Sequence, residues 1–482
     1  MHPILQNLVS SAKRFDRLAV EQGIEQLFTE QIQLNENWYG VARLAIVVAS
    51  FRTALRCLNS VPVNSDLKLQ LNTVTALITC GALDEAQERL RIIDPRFEGN
   101  CRLKHLKGTL CAQMGNKEEA VMLLRQVVEN EPEHGESWLT LSAMHSFAND
   151  ETFASKLREA ERVISAKATI DAKASYFSAV GKYYWDKQNY VQALASYSRC
   201  AELKKTTASA KDPYVHQAKS LVNDIKAIKR VLEAVPAAPE DTVTRPTPVF
   251  IVGLPRSGTT LLEQILAVNT NVKPLGEVNA LEMAIKPFLQ GRLISNAQDV
   301  SHILAEQVST QVRNEYFRIV SERNGNKPYF TDKSLSNGRY LPLIQKIFPE
   351  AEVIWIKRNE IDTAWSIFRT YFSQGLGWSW SPDSIKQMIE NEETLIRSWL
   401  ENSPAELGVI SYEEMVSKPE AVLPDLFSRL GLVYDENHLK FHASTHFVDT
   451  ASVNQVRQSL NDEGIGASAN VPEFTNAYQR LA

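Results

Sequence analysis

Residues 249–266 read VFIVGLPRSGTTLLEQIL, an order that suits very few backbone arrangements. Val249 to Val252 is a continuous apolar run, as expected of a strand covered on both faces. Gly253 and Gly258 bracket a short loop, and from Thr259 the apolar residues recur with helical spacing. A strand, a glycine-bearing loop and a helix start make a cradle for phosphate. Successive backbone N–H groups point inward, and the helix N-terminus adds partial positive charge. The glycine spacing is that of a nucleotide-triphosphate loop, G-x-x-x-x-G-K-[ST], with one departure. The lysine position holds Thr259, and a cation stands three residues earlier as Arg256. The missing lysine is the group that reaches the β- and γ-phosphates, so the loop argues against ordinary ATP or GTP chemistry.

Farther on, the apolar strand pattern Ala351–Ile356 precedes Arg358, and Ser366 follows eight residues later. This puts Arg358 at a strand end and Ser366 two turns into the next helix. A guanidinium fork and a hydroxyl converging on one anion suit a phosphate monoester. Leu407–Ser411 repeats the strand-then-helix pattern. The chain from Val249 onward therefore reads as an α/β domain with a mostly parallel sheet, its ligands at the strand C-terminal ends.

Gly-x-Pro-Arg-Ser-Gly-Thr-Thr resembles the 5′-phosphosulfate loop of sulfotransferases that use 3′-phosphoadenosine 5′-phosphosulfate (PAPS), most closely the Golgi-type and protein-tyrosine enzymes. The resemblance implies that Pro255, Arg256, Ser257, Gly258, Thr259 and Thr260 hold the phosphosulfate, with Arg256 also serving catalysis. Arg-(x)7-Ser resembles the family's 3′-phosphate motif and so assigns Arg358 and Ser366 to a group that ATP lacks. In tyrosyl-protein sulfotransferases the glutamate of a Gly-Glu pair at this place is the general base. Glu277, in Leu275-Gly-Glu277, matches it, and a carboxylate in hydrogen-bond reach can take the acceptor's proton. Acids also favour the first turns of helices, which is the plainer reading of Glu277. Lys333, in Phe330-Thr-Asp-Lys, falls where relatives place a lysine on the bridging oxygen of the phosphosulfate; an exposed turn lysine is the alternative. Tyr412, in Ser411-Tyr-Glu-Glu, falls near the nucleotide by the same resemblance. Thr450-Ala-Ser-Val-Asn-Gln-Val-Arg457 resembles a segment of bacterial sulfotransferases linked to tetratricopeptide (TPR) repeats, making Ser452 and Arg457 candidates for phosphate contacts. Family members usually continue with a Trp/Arg-containing stretch over the nucleotide, whereas this chain has Gly464-Ile-Gly-Ala-Ser-Ala-Asn-Val-Pro472.

The first 203 residues have another character. Gly81 with Ala86 and Gly115 with Ala120 are separated by 34 residues, and a further 34 lands on Asn149 and Ala154. A 34-residue period belongs to TPR helix–turn–helix units, in which a small residue lets two helices approach. Asp94-Pro95 and Glu131-Pro132 close two units. Another unit, Ala174 through Gly181 to Ala193, comes five residues late and is rich in aromatic residues. Upstream of residue 69 the pattern degenerates into one or two poorly matched repeats or a helical cap. Residues 213–234 read as one amphipathic helix, and the proline-punctuated 235–248 as a linker. The expected organisation is an all-α TPR-like solenoid over 1–203, a helix and linker over 204–248, and the α/β domain over 249–482. The solenoid offers either a groove for a protein partner or a scaffold for its own catalytic domain.

Composition narrows the remaining choices. The chain has 482 residues and a formal net charge of −5, which gives no footprint for nucleic acid. Five cysteines, an odd number, lie within the first 200 residues without C-x-x-C spacing, so buried thiols in a reducing compartment are expected. The N-terminus lacks a signal-peptide pattern. The most apolar window, Trp38 to Leu55, is broken by Arg43 and Arg52 and falls short of a membrane span. A cytoplasmic, bacterial-style protein is expected. His438, His442 and His446 are spaced like metal ligands, yet no carboxylates accompany them, and the scheme requires no metal. The activity implied is sulfuryl transfer from PAPS to an acceptor hydroxyl, leaving the 3′,5′-bisphosphate PAP. The acceptor is a peptide or protein, a glycan or a small molecule. An atypical phosphate-loop kinase and an inactive scaffold are the rival readings.

Overall fold

The computed structural model describes residues 2–207, 212–238, 245–372, 376–401, 408–443 and 453–480. Its first part is a run of helical hairpins. They are α1 (Pro3–Lys13) with α2 (Arg17–Thr29), α3 (Trp38–Val47) with α4 (Phe51–Asn59), and α5 (Leu67–Thr79) with α6 (Leu83–Ile93). There follow α7 (Cys101–Gln113) with α8 (Lys117–Asn130), α9 (Gly135–Met144) with α10 (Glu151–Lys167), and α11 (Ile170–Asp186) with α12 (Tyr190–Thr207).

One local rule builds most of these hairpins. The turn residue has left-handed φ at Phe15, Ala49, Gly81, Gly115 and Gln188. Five residues later stands a fully buried small or branched side chain: Val20, Ala54, Ala86, Ala120 and Ala193, each 0% exposed. The fifth hairpin turns instead through a 3₁₀ segment, Phe147–Asn149, and still buries Ala154 completely. The degenerate upstream stretch thus holds two full hairpins. Their signal was hidden because Phe15 and Ala49 occupy the turn position that glycine marks later. Helix contacts are close enough to exclude a β-carbon at Gly135, where one would lie 1.8 Å from the Ala172 carbonyl oxygen. The expected single helix over 213–234 is two, α13 (Pro213–Asn223) and α14 (Ile225–Ala234). Asp224 breaks it, and its carboxylate accepts from the Ala297 amide at 2.5 Å.

The second part is an α/β domain. Its sheet is wholly parallel, in the order β2 (Val272–Pro274), β3 (Tyr329–Asp332), β1 (Thr247–Val252), β4 (Glu352–Lys357), β5 (Gly408–Ser411). The apolar run of β1 lies at the centre, with Val249 to Val252 at most 1% exposed. The chain runs from β1 to β2 and back to β3 on one side of β1, then crosses to β4 and β5 on the other, so the strand order reverses at β1. The chain emerging from β1 therefore enters the crevice where parallel α/β sheets bind ligands. That chain is the glycine loop, and α15 (Thr259–Ala267) follows it.

The two parts share a core. Ala174, Ala193, Tyr197 and Cys200 of the last hairpin are buried in one cluster with Trp365 and Phe368 of the α/β domain. Near the other end, Arg17 of α2 is 5% exposed and pairs with Glu21, Glu315 and Glu322. The latter two belong to the helix Glu306–Asn324 of the α/β domain. Arg323 donates to the Thr79 carbonyl of α5 at 2.6 Å. The five cysteines are free thiols, and burial pushes Cys57, Cys80 and Cys200 up to about 12. No helix among the described residues is long and apolar enough to cross a membrane.

Removing one partner of a buried charge cluster costs about 3–5 kcal/mol because the other charges stay buried. Arg17→Met should therefore lower stability by about 3 kcal/mol in denaturant unfolding. Arg56→Met, at a half-exposed pair with Glu25, should cost less than about 1 kcal/mol. Equal effects would show that the inter-domain cluster is no stronger than a surface pair.

Candidate active site

The loop leaving β1 is held by contacts that only its own residues permit. A β-carbon on Gly253 would lie 2.7 Å from Ser257 Oγ and 2.9 Å from the Ile356 carbonyl oxygen. Gly258 has φ +107°, and a β-carbon there would meet the Tyr412 ring at 2.6 Å. Arg256 has φ +69°, uncommon for a side chain of its size. Ser257 Oγ donates to the Leu254 carbonyl at 2.8 Å and closes the turn. Thr259 and Thr260 begin α15, whose first N–H groups have no helical acceptor.

Three arginines gather at this loop. Arg358 follows β4 and donates from Nη1 to the Arg256 carbonyl at 2.8 Å and from Nη2 to the Gly464 carbonyl. Its guanidinium lies 4.5 Å from the Tyr412 ring centre, and its Nε is buried with no hydrogen-bond partner among the described residues. Arg256 donates from Nε to Ser366 Oγ at 3.2 Å and from Nη2 to Gln455 Oε1 at 2.5 Å. Arg369, one turn after Ser366, lies 4.8 Å from the ring centre of Trp185 in α11. Burial and the charges of Arg369 and Arg358 push Arg256 down to about 9. Burial likewise lowers Arg369, with Arg358 adding repulsion. Such a cluster holds stored repulsion that a bound anion would relieve.

Across the loop, Glu277 follows β2 and Lys333 follows β3. Lys333 Nζ donates to Glu277 Oε1 at 2.7 Å; the lysine side chain is 1% exposed and the glutamate side chain 34%. Burial works against the charge of Lys333, but the Glu277 and Glu263 carboxylates outweigh it and raise the ammonium above its usual value. Glu263 of α15 accepts from the Gly276 amide at 3.0 Å and from Thr331 Oγ1 at 2.7 Å, so it fixes the turn that carries Glu277. Asp332 accepts from Ser334, Asn337 and Tyr316 and is fully enclosed. It organises the β3 exit. No metal-ligand cluster occurs among the described residues. His438 is buried against Phe427, and His446 lies outside the described residues.

A cavity of about 810 Å³ joins these groups. Gly253 to Arg256, Gly258 to Thr260, Glu277, Arg358, Ser366 and Tyr412 line it. Lys333 stands behind Glu277, and Ser257 lies under the loop. Arg457 is not among the lining residues: its Nη2 donates to the Gln113 carbonyl of α7 at 3.2 Å, and Gln113 is itself part of the cavity wall. Ser452 lies outside the described residues. The tail covers Arg358 with a backbone carbonyl, that of Gly464. Gly466 and Ser468 amides donate to Asp362 at 2.7 and 2.9 Å, which positions the Gly464 carbonyl over the guanidinium.

Three contributions went unread in the sequence. Arg369 had a legible signal, standing one helical turn after Ser366. So did Glu263, an acid in an otherwise apolar stretch of helix. The third is the solenoid, since the cavity's opposite wall is formed by α7, α9 and α11 through residues such as Thr109, Thr140 and Lys182. No periodicity reveals which face of a solenoid meets another domain.

The loop, the parallel sheet and the arginine cluster make an α/β domain whose crevice is suited to an anion. Comparison with known proteins gives its family: residues 248–436 match the sulfotransferase family, and residues 102–134 match the tetratricopeptide repeat. The chain therefore joins a TPR-containing helical array to a sulfotransferase-family domain. An uncharacterised protein of Aquifex aeolicus (strain VF5) is 24% identical over 435 residues, covering 82% of this chain and 56% of that protein. The chain thus spans little more than half of that relative's length. A Caenorhabditis briggsae protein named "Putative protein-tyrosine sulfotransferase" is 25% identical over 231 residues, covering 45% of this chain and 79% of that one. Among solved structures, the sulfotransferase domain of the Synechococcus PCC 7002 olefin synthase aligns at TM-score 0.36 and 17% identity, over 50% of this chain and 97% of that one.

Gly258→Ala would combine an unfavourable φ with a clash against Tyr412. It should weaken binding of PAP at least tenfold while leaving the circular dichroism spectrum unchanged. An unaltered affinity would show that the loop does not depend on this glycine.

Proposed function

We propose that the protein transfers a sulfuryl group from PAPS to an acceptor hydroxyl by direct in-line displacement. The observation that carries this reading is the convergence of Arg358, Ser366 and Arg256 beside a glycine loop that lacks the ATP-binding lysine. Arg358 offers a buried Nε without a hydrogen-bond partner among the described residues, and the guanidinium cluster calls for an anion of more than one charge. The residues present thus fit a 3′,5′-bisphosphorylated nucleotide. Gly258, Thr259, Thr260 and Arg256 would hold its 5′ end; Arg358 and Ser366, with Arg369 near them, the 3′-phosphate; and Tyr412 lies beneath Arg358. PAPS, when bound, supplies the sulfuryl group, and no metal is needed in this scheme.

Glu277 is the base. Its carboxylate faces the cavity and takes the acceptor's proton. Lys333 is the cation for the leaving phosphate, the role an arginine or metal plays in phosphoryl transfer. The hydrogen bond between them couples the two tasks. When Oε1 of Glu277 is protonated, its hold on Lys333 weakens, and the ammonium keeps its charge for the departing oxygen. Acceptor hydroxyls on a peptide or protein, a glycan or a small molecule all meet this chemistry, and we place the reaction in the cytoplasm. An unusual phosphate-loop kinase would need magnesium and ATP. An inactive scaffold would bind partners without PAP.

Glu277→Gln should reduce turnover by at least a thousandfold and change PAP affinity less than threefold in calorimetric titration. Parallel loss of both would remove Glu277 from the base role. Arg358→Ala should erase most of the preference for PAP over 5′-AMP. Discrimination that survives this change would overturn the 3′-phosphate assignment. In the parent protein, tighter binding of ADP than of PAP would favour the kinase.

A further inference from the structure

The cavity is divided by charge, and the sheet order explains how. Arg358 and Tyr412 follow β4 and β5, on one side of β1, and with Arg256 and Arg369 they make that side cationic. Glu463, beside Gly464 in the tail, is the acid at its rim. Glu277, Lys333, Ser336 and Arg339 follow β2 and β3, on the other side. There, each ionisable group lining the cavity among the described residues has an opposite partner. Glu277 pairs with Lys333 at 2.7 Å, and Arg339 pairs with Glu392 at 3.3 Å. On the solenoid wall, Lys182 pairs with Asp186 at 2.5 Å.

This second half also holds polar atoms in need of partners. Ser336 Oγ, Trp378 Nε1, Arg339 Nε and Glu392 Oε1 are buried without a hydrogen bond among the described residues. Their side chains line the cavity, and each residue is 4–6% exposed. Arg339 and Glu392 meet at ion-pair distance but outside hydrogen-bond geometry, so both keep bonding capacity. Buried polar atoms of this kind are normally satisfied, and three donors with one carboxylate oxygen suit a ligand that both accepts and donates. Leu335, Leu376, Met388 and Tyr214 supply apolar surface between them.

We propose that this half is the acceptor pocket and that it takes an uncharged hydroxyl compound, apolar in body and carrying neutral polar groups read by Arg339, Glu392, Ser336 and Trp378. The inference rests on the sulfuryl-transfer reading above. An anionic acceptor would set a charge near Glu277 and Glu392, where every cation is already matched. It would also be drawn to the arginines and compete with the donor. A cationic one would take the Glu277 carboxylate out of service as a base. The pocket therefore excludes charge of either sign from the portion of the acceptor that enters it.

The test uses the full chain with sulfur-35-labelled PAPS and matched acceptors that share a hydroxyl and differ only in charge. Suitable sets are N-acetyltyramine, N-succinyltyramine and tyramine for phenols, and octyl glucoside with octyl glucuronide for sugars. In any set that is sulfated, the neutral member should exceed its charged counterpart at least tenfold in kcat/KM. A charged member equal to or faster than the neutral one overturns the proposal, as does PAP binding without sulfation of either neutral compound. Failure to bind PAP would instead remove the donor reading, and this inference with it. Glu392→Gln should raise the acceptor KM at least fivefold with PAP affinity unchanged, even as loss of the buried pair with Arg339 lowers the unfolding temperature. An unaltered KM would exclude the Arg339–Glu392 pair from recognition.

Discussion

One indole ring holds the molecule together. Trp365 is fully buried, and its ring centre lies 5.4 Å from Trp185 and 5.8 Å from Tyr197 of the solenoid. On its other side stands Phe474 of the tail, at 5.2 Å. Solenoid, α/β domain and C-terminal segment meet on a residue whose neighbour in the chain is Ser366. Each such ring pair adds roughly 0.5–1.5 kcal/mol beyond its buried area. The arrangement also fixes the helix Glu360–Phe368, and with it the direction from which Ser366 approaches Arg256. Site geometry and domain docking are thus one packing problem.

The arginine cluster follows from this packing. Arg369 leaves the same helix and lies on Trp185, so the solenoid brings a third guanidinium toward Arg256 and Arg358. Within the protein, the cluster is held by carbonyls, a glutamine side chain and an aromatic face: Arg256 O, Gly464 O, Gln455 and Tyr412. These bonds already have a charged donor; a phosphate would add a charged acceptor and the bidentate geometry that a guanidinium fork matches.

Much of the fold was legible because its signals are local. The β1 run, the glycine loop and the 34-residue period each depend on residues near one another in sequence. The first two hairpins were obscure because Phe15 and Ala49 adopt a backbone conformation that composition does not advertise. In the candidate site, motifs singled out the loop residues, Glu277, Arg358, Ser366 and Tyr412, and the structure brings all but Ser257 to one cavity. Lys333, singled out likewise, stands one layer back, against Glu277. Arg457 matched a motif yet reaches the solenoid, because a side chain's direction is set by the partner it meets. Arg339, Glu392 and Trp378 could not be read at all. Their significance arises only when helices distant in sequence enclose them.

The solenoid's role follows from where its first helices end up. In α7, α9 and α11 the faces that would form a groove for an outside partner instead close the cavity of their own catalytic domain. The buried Arg17 cluster and the Trp365 rings hold it at both ends. A peptide could still reach the outer surface, but the surface nearest the chemistry is already committed. The helical array thereby adds a third wall to a cavity whose other two sides come from the α/β domain. Changes along α9 or α11 would then reshape that wall while leaving the glycine loop untouched, because the loop hangs from β1 and the wall from the solenoid.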